Sequence, residues 1–294
     1  MRRKIAILGR TGRLGGALCR ALSQKHEVVA LGRQEVDLTS SVSEQLKNVE
    51  FDLFINTAAI TNLDWCEQNP RAAERVNAVA VGELGAICSK RGVRCVHIST
   101  DYVFDGSASS PCREEQPASP INVYGKAKRL GEELLLKADN RHLVVRVSWV
   151  FGPDKPSFID VLLDRAVDRE RVEAIDDKYS APTYSLDFAE WIEPILFEVP
   201  LSGILHLCNT GGCSWREYGQ AALDAAADEG IKLKTHDVLP ISLESMSAFV
   251  ARRPIYTVMD QQRYRETIGA SPRHWKEAVR SYVRNKYPRV INAG

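Results

Sequence analysis

The sequence predicts an α/β protein: a doubly wound parallel sheet followed by a smaller C-terminal domain. Three observations predict it. Short, unbroken apolar runs rich in β-branched residues alternate with helix-like stretches through the first 150 residues, as expected of strands buried on both faces of a parallel sheet. A glycine-rich turn, Gly9-Arg10-Thr11-Gly12-Arg13-Leu14-Gly15, ends the first run and opens the first helix. After Phe151-Gly152-Pro153 the rhythm loosens, and a length of 294 residues fits about two domains.

In chain order, strands are expected at Lys4–Leu8, Glu27–Leu31, Phe51–Ile55, Arg94–Ile98 and Leu143–Val147. Between them lie helices at Leu14–Ser23, Arg71–Lys90 and Val123–Lys137, the last with Pro120 in its first turn and Ser119 as a cap. Beyond residue 150 the pattern reads as helix Phe158–Arg169, strand Arg171–Ile175, loop Asp177–Ser185, helix Asp187–Phe197 and strand Gly203–Leu207. A helix Trp215–Glu229 follows Ser214 as N-cap. Val238–Asp260 reads as irregular, and a basic, aromatic helix lies near His274–Lys286. Asp105–Pro120, with three prolines, is either a flap near the site or an exposed connection. Residues 1–150 then form a dinucleotide-binding domain, to which 184–208 adds a helix and a strand. Residues 151–183 and 209–294 form a substrate-binding domain.

Lys plus Arg number 39 and Asp plus Glu 38, leaving a net charge of +1. No global field steers such a chain toward nucleic acid or an anionic membrane, so an anionic ligand needs a local site. Seven cysteines without a C-x-x-C pair support neither a disulfide framework nor a zinc ribbon, and suit a reducing cytoplasm. The apolar run after Met1-Arg2-Arg3-Lys4 is too short for a signal-peptide core, and no stretch is long enough for a transmembrane helix. No residue is assigned to a metal.

The glycine turn follows from chemistry. Gly9 allows the tight turn, Gly12 lets the backbone approach a pyrophosphate, and Gly15 lets helix and strand pack closely. The helix N-terminus supplies free N–H groups and partial positive charge. In this strand–turn–helix context it reads as a Rossmann dinucleotide turn. At the end of the second strand stand Leu31-Gly32-Arg33, with no carboxylate before Glu35, and Arg10 and Arg13 flank the turn. A cation there accommodates a 2′-phosphate, so NADPH is the expected cofactor, with NADH as the alternative and a merely solvated Arg33 as the bland one. Asp37 and Leu38 suit an adenine contact, although Asp37 equally suits the N-cap of a following helix. Ala58 and Ala59, small residues after the third strand, let the cofactor lie against the strand end.

Tyr124-Gly-Lys-Ala-Lys128 is the sharpest feature. Residues four apart on a helix share a face, so Tyr124 and Lys128 point the same way. A nearby ammonium favours the phenolate, lowering a pKa that is ordinarily about 10. The preceding strand ends in Ser99-Thr100-Asp101-Tyr102, whose Thr100 hydroxyl could bond the same substrate oxygen that Tyr124 protonates. A dinucleotide turn, a Tyr/Lys pair and a hydroxyl together point to hydride transfer.

These residues resemble the extended short-chain dehydrogenase/reductase family along nearly the whole chain. The match includes Gly9–Gly15, Asp37-Leu38-Thr39, Asn56-Thr57-Ala58-Ala59, Ser99–Gly106, Pro120–Glu132, Arg146–Gly152, Ala181-Pro182-Thr183, His206–Trp215 and Ala251-Arg252-Arg253-Pro254. The resemblance implies an enzyme that reduces the C4 keto group of a nucleotide-linked 6-deoxy sugar, most directly dTDP-4-dehydro-L-rhamnose to dTDP-L-rhamnose. It implies Tyr124 as proton donor, Lys128 as holder of the nicotinamide ribose, and Thr100 as the group that orients the carbonyl. Gly12, Arg13 and Leu14 match the pyrophosphate turn, and Ala59, Ile60 and Thr61 a cofactor-contacting segment. Asp101, Trp149 and Arg253 match substrate positions. Trp149 can stack on a sugar face, or be an ordinary core residue. Thr57, and Ile255-Tyr256-Thr257 after Arg-Pro, depart from the commoner pattern and bear on which sugar is bound. The alternatives are another nucleotide 4-keto sugar, or a non-catalytic NADP-binding regulatory subunit like that of methionine adenosyltransferase. A homodimer is left open.

Overall fold

The computed structural model of the protein describes residues 2–199 and 201–287. In chain order the first half runs β1 (Lys4–Leu8), α1 (Arg13–Ser23), β2 (Glu27–Leu31), α2 (Val42–Leu46), β3 (Leu53–Asn56), α3 (Leu63–Gln68), α4 (Pro70–Glu74), a π turn (Arg75–Val79), α5 (Ala80–Lys90), β4 (Arg94–Thr100), α6 (Val123–Ala138) and β5 (Leu143–Val147). The second half adds β6 (Val150–Phe151), α7 (Phe158–Asp168), β7 (Val172–Ile175), β8 (Tyr179–Ser180), β9 (Thr183–Tyr184), α8 (Ser185–Phe197), β10 (Gly203–His206), β11 (Cys213–Ser214), α9 (Trp215–Asp228), β12 (Val238–Ile241), α10 (Gln262–Ile268) and α11 (Trp275–Lys286).

Six of these strands form a wholly parallel sheet in the order β10-β5-β4-β3-β1-β2. Alternation along β1 divides its residues between two cores. Ile5 and Ile7 pack with Leu18 and Leu22 of α1 and with Phe188 and Ile192 of α8. Ala6 and Leu8 pack with Leu84 of α5 and Leu135 of α6. Both faces are therefore covered, which is why the strands read as continuous apolar runs. The chain leaves β1 for β2 on one side and returns past it to β3 on the other. The order reverses between β1 and β3, so a crevice opens beyond their C-terminal ends.

A separate core joins α7, α9 and α11 through Leu162, Tyr218, Ala222, Trp275 and Val279. Beneath it β12 pairs in parallel with β7, a strand in the stretch expected to be irregular. Its apolar pattern is short and carries Pro240, so only the pairing with β7 reveals it. The expected loop 177–185 holds β8 and β9, each only two residues long. The expected single helix 71–90 is interrupted by the π turn, because Asn77 turns inward to receive the Ile60 N–H and donate to the Ile60 carbonyl, both at 2.9 Å. Helix α6 starts later than Pro120. Its cap is Asn122, which accepts the Gly125 N–H at 2.8 Å, whereas Ser119 is spent in a backbone bond to Val103. Ser214 does cap α9, in a reciprocal pair with Glu217. The segment 105–120 is a largely exposed connection, pinned rather than a free flap. Cys112 is buried and bonded through its backbone to Val258 and Asp260. All seven cysteines are free, six of them buried.

Candidate active site

The glycine turn lies in the crevice between β1 and β3. Gly9 has φ +97°, and a Cβ on Gly15 would stand 2.1 Å from the Gly9 carbonyl oxygen, so helix and turn can meet only through glycine. Helix α1 begins at Gly12 with no side-chain cap and no acidic residue in its first turn. Its first N–H groups are thus left for an anion. One cavity of about 730 Å³ opens on this side, lined by Gly9, Thr11, Gly12, Arg33, Asp37, Leu38, Ala58, Ala59 and Ile60. Asp37 caps no helix. Its carboxylate accepts from the Thr39 N–H and hydroxyl, at 2.9 and 2.8 Å, and α2 begins at Ser41 instead. Glu35 folds back to accept the Gly32 N–H at 2.7 Å and pairs with Arg10 at 3.0 Å, while Arg33, largely exposed, pairs with Asp37 at 3.7 Å. The shape, the uncapped helix and the cations fit an adenosine diphosphate group with a further phosphate.

A second cavity of about 470 Å³ continues past the turn, lined by Gly12, Arg13, Leu14, Gly15, Ala59, Thr61, Thr100, Asp101, Tyr124, Lys128 and Trp149. Gly125 makes this convergence possible: a Cβ there would stand 2.2 Å from the Tyr102 carbonyl oxygen, so α6 can press against the turn that carries Thr100. Burial raises the Tyr124 phenol's pKa above its ordinary value. The expected lowering by Lys128 is absent. Lys128 Nζ contacts His97 Nε2 at 2.9 Å and the Ile98 carbonyl at 2.6 Å, and burial pulls its own pKa down to about 7. The Thr100 hydroxyl donates to Asp101 Oδ1 at 3.1 Å and accepts the Tyr102 N–H at 3.2 Å. Asp101 is fully buried. Its other oxygen receives Ser180 at 2.9 Å and Thr257 at 2.5 Å, so one of the departures after Arg-Pro serves this carboxylate.

Trp149 has φ +39°, the only positive value at a non-glycine among the described residues. Such strain is found where a side chain is held for function. Its ring packs on Trp215 and Tyr218, with centroids 5.6 and 6.1 Å away. Trp149, Ser99 and Tyr218 line this cavity, and their Nε1, Oγ and OH atoms are buried without a hydrogen-bond partner among the described residues. Arg253 is the one expected residue that the fold keeps out of the cavity lining. Its guanidinium grips Asp64 at 2.7 and 2.9 Å and covers the Phe249 ring at 3.9 Å, because α3 brings a carboxylate within reach.

Residues 3–287 match the RmlD substrate binding domain family. The chain belongs to that family. Spore coat polysaccharide biosynthesis protein SpsK of Bacillus subtilis is 33% identical over 96% of this chain and 98% of its own length. A dTDP-4-dehydrorhamnose reductase of Burkholderia thailandensis is 32% identical over 96% and 98%. A crystal structure of dTDP-4-dehydrorhamnose reductase from Bacillus anthracis in complex with NADP superposes with a TM-score of 0.89 at 27% identity, covering 96% of this chain and 99% of that one. This RmlD family chain also brings to its cavity residues that sequence reasoning passed over: Ser99, Lys155, Phe158, Trp215 and Tyr218. Trp215 and Tyr218, three apart on α9, have a spacing that suits core packing as well as a site, and Lys155 carries no signal at all. Among the described residues of this family member, no three His, Cys, Asp or Glu side chains gather into a metal-binding group, and no helix is long and apolar enough to cross a membrane.

Proposed function

We propose that the chain is an NADPH-dependent oxidoreductase that reduces the C4 keto group of a nucleotide-linked 6-deoxy sugar, converting dTDP-4-dehydro-L-rhamnose to dTDP-L-rhamnose. One observation carries the reading: Tyr124, Lys128 and Thr100 line a single cavity that continues from the uncapped glycine turn. The named relatives and the NADP-bound neighbour support the same chemistry and cofactor.

Bound NADPH would supply the hydride. Tyr124 holds the proton for the C4 oxygen. Its raised pKa keeps the phenol protonated at neutral pH, so it acts as an acid from the outset. Thr100, lining the same cavity, is the group that orients the carbonyl. Lys128 stands one turn on, where it can hold ribose hydroxyls. Trp149, braced by Trp215 and Tyr218, offers a flat face to the sugar ring. The carbonyl gains one hydride and one proton, and the phenolate is reprotonated from solvent. Residues 1–150 with 184–208 serve the cofactor, and residues 151–183 with 209–294 serve the sugar, of which 288–294 lie outside the described residues. The cytoplasm is the compartment where this chemistry and the free thiols fit. Gel filtration with light scattering decides whether a homodimer forms.

The decisive assay adds a panel of nucleotide 4-keto sugars to purified protein with NADPH or NADH and follows loss of the reduced cofactor. Turnover of the dTDP sugar with NADPH is expected. Absence of turnover, with tight NADPH binding and co-purification of another enzyme, overturns the reading in favour of the regulatory subunit. Arg33→Ala is expected to narrow the NADPH preference in kcat/KM. Equal values for the two cofactors, unaltered in the variant, would remove Arg33 from the argument. Lys128→Met is expected to weaken both NADPH affinity and kcat, because one residue serves both; unimpaired NADPH binding would cancel its ribose role.

A further inference from the structure

Beneath Lys128 lies a buried polar chain that the proposed chemistry does not use. Strands β3 and β4 pair so that Asn56 sits beside His97, and both are fully buried. The Ala58 N–H donates to Asn56 Oδ1 at 3.0 Å. This orients the amide: its oxygen faces Ala58, and its NH2 faces His97 Nδ1 at 3.1 Å. An NH2 group only donates, so Nδ1 accepts. A neutral imidazole that accepts at Nδ1 carries its proton on Nε2. Nε2 is 2.9 Å from Lys128 Nζ and donates to it. An amine has a lone pair for that hydrogen bond, and an ammonium has none. Lys128 in turn donates to the Ile98 carbonyl.

One charge near Lys128 opposes this arrangement, that of Glu132, and burial outweighs it. Burial holds His97 well below its usual range, against the Asn56 backbone, which favours the imidazolium, so the ring is neutral at neutral pH. On α6, Tyr124 is a neutral phenol. Glu132, one turn beyond Lys128, is committed to Arg146 of β5 through two hydrogen bonds at 2.7 and 2.9 Å. Burial supplies the rest, bringing Lys128 to about 7.

We infer that Asn56 and His97 are positioning residues that hold Lys128 as a neutral amine in the cofactor-free protein. Protonating Nζ from solvent removes its lone pair. His97 must then lose its proton at Nε2 and gain one at Nδ1, with no net change on the ring. Asn56 must turn its oxygen toward Nδ1 and release the Ala58 N–H. The charge on Lys128 is thereby tied to the backbone of Ala58 and Ala59, which lines the cofactor cavities. The inference rests on the proposed function only in its consequence, that binding of anionic NADPH draws a proton onto Lys128.

Two measurements test it. The first needs no cofactor. Nitrogen-15 NMR of histidine-labelled, ligand-free protein reports which ring nitrogen of His97 is protonated, with its signals identified by their loss in His97→Gln. A proton on Nε2 is expected in the wild type, and on Nδ1 in Asn56→Asp, whose carboxylate must accept. A proton on Nδ1 in the wild type overturns the inference. The second is calorimetry of NADPH binding in buffers of different ionisation enthalpy. Proton uptake is expected just above neutral pH, lost in Lys128→Met, and moved upward by about one pH unit or more in His97→Gln and Asn56→Asp. Should His97→Gln fail to fold, Asn56→Asp decides alone. An unmoved window, or full uptake in Lys128→Met, also overturns the inference. A wild type with its proton on Nε2 that binds no NADPH sinks the functional reading instead and leaves this one standing.

Discussion

Tyr124→Phe is expected to lower kcat by about 10²–10⁴, the usual contribution of a positioned proton donor, with NADPH affinity nearly unchanged. The substitution removes one oxygen and keeps the ring, whose edge-on packing against Tyr102 at 5.9 Å is independent of the hydroxyl. The hydroxyl's neighbour, Thr100, cannot replace it as acid. Its hydrogen is already directed to Asp101, and an aliphatic hydroxyl is a far weaker acid than a phenol. Steady-state kinetics with the dTDP 4-keto sugar, alongside fluorescence titration with NADPH, separates the two effects. Normal turnover in this variant would end the assignment of Tyr124. A loss confined to KM would mean that the phenol binds substrate without protonating it.

Glu132→Ala is expected to cost about 3–5 kcal/mol of folding stability, the usual result of removing one partner from a buried ion pair. Glu132 and Arg146 are each nearly inaccessible, with side-chain exposures of 3% and 2%. Arg146 also lies over the Phe104 ring at 5.2 Å and faces His206 at 3.4 Å. His206, held neutral because burial and Arg146 push its pKa down to about 3, offers a stranded guanidinium a ring-nitrogen lone pair but no balancing charge. Replacing both partners, Glu132→Leu with Arg146→Met, is expected to recover much of the loss, because no uncompensated charge then remains. Urea denaturation of the three variants checks this. Equal stability of Glu132→Ala and wild type would show that the guanidinium finds water or another partner.

Much of the fold is legible along the chain. The five strands of the first half, the helices α1 and α9, and the cap at Ser214 all announce themselves through local spacing. The elements that escape notice are short or interrupted. Strands β8 and β9 have two residues each, β12 depends on its pairing with β7, and the π turn depends on Asn77 reaching Ile60. None of these has a period long enough to read. The site divides in the same way. Tyr124 and Lys128 are four apart on one helix, and the glycine turn is contiguous, so local geometry places each set together. The Lys128–His97–Asn56 chain spans α6, β4 and β3, and its His97 looks like a lone polar residue in an apolar strand.

The sequence by itself therefore determined the doubly wound class, the uncapped glycine turn and the candidate acid with its lysine, because each is written within a few residues whose backbone period sets their direction. Only the tertiary structure decided which groups surround that acid. It turned Arg253 away from the cavity onto Asp64, gave the hydrogen of Thr100 to Asp101, and set a histidine where a water could have solvated Lys128. Burial, hydrogen-bond direction and proton affinity depend on every element packed around a group, and residues distant in the chain supply most of them.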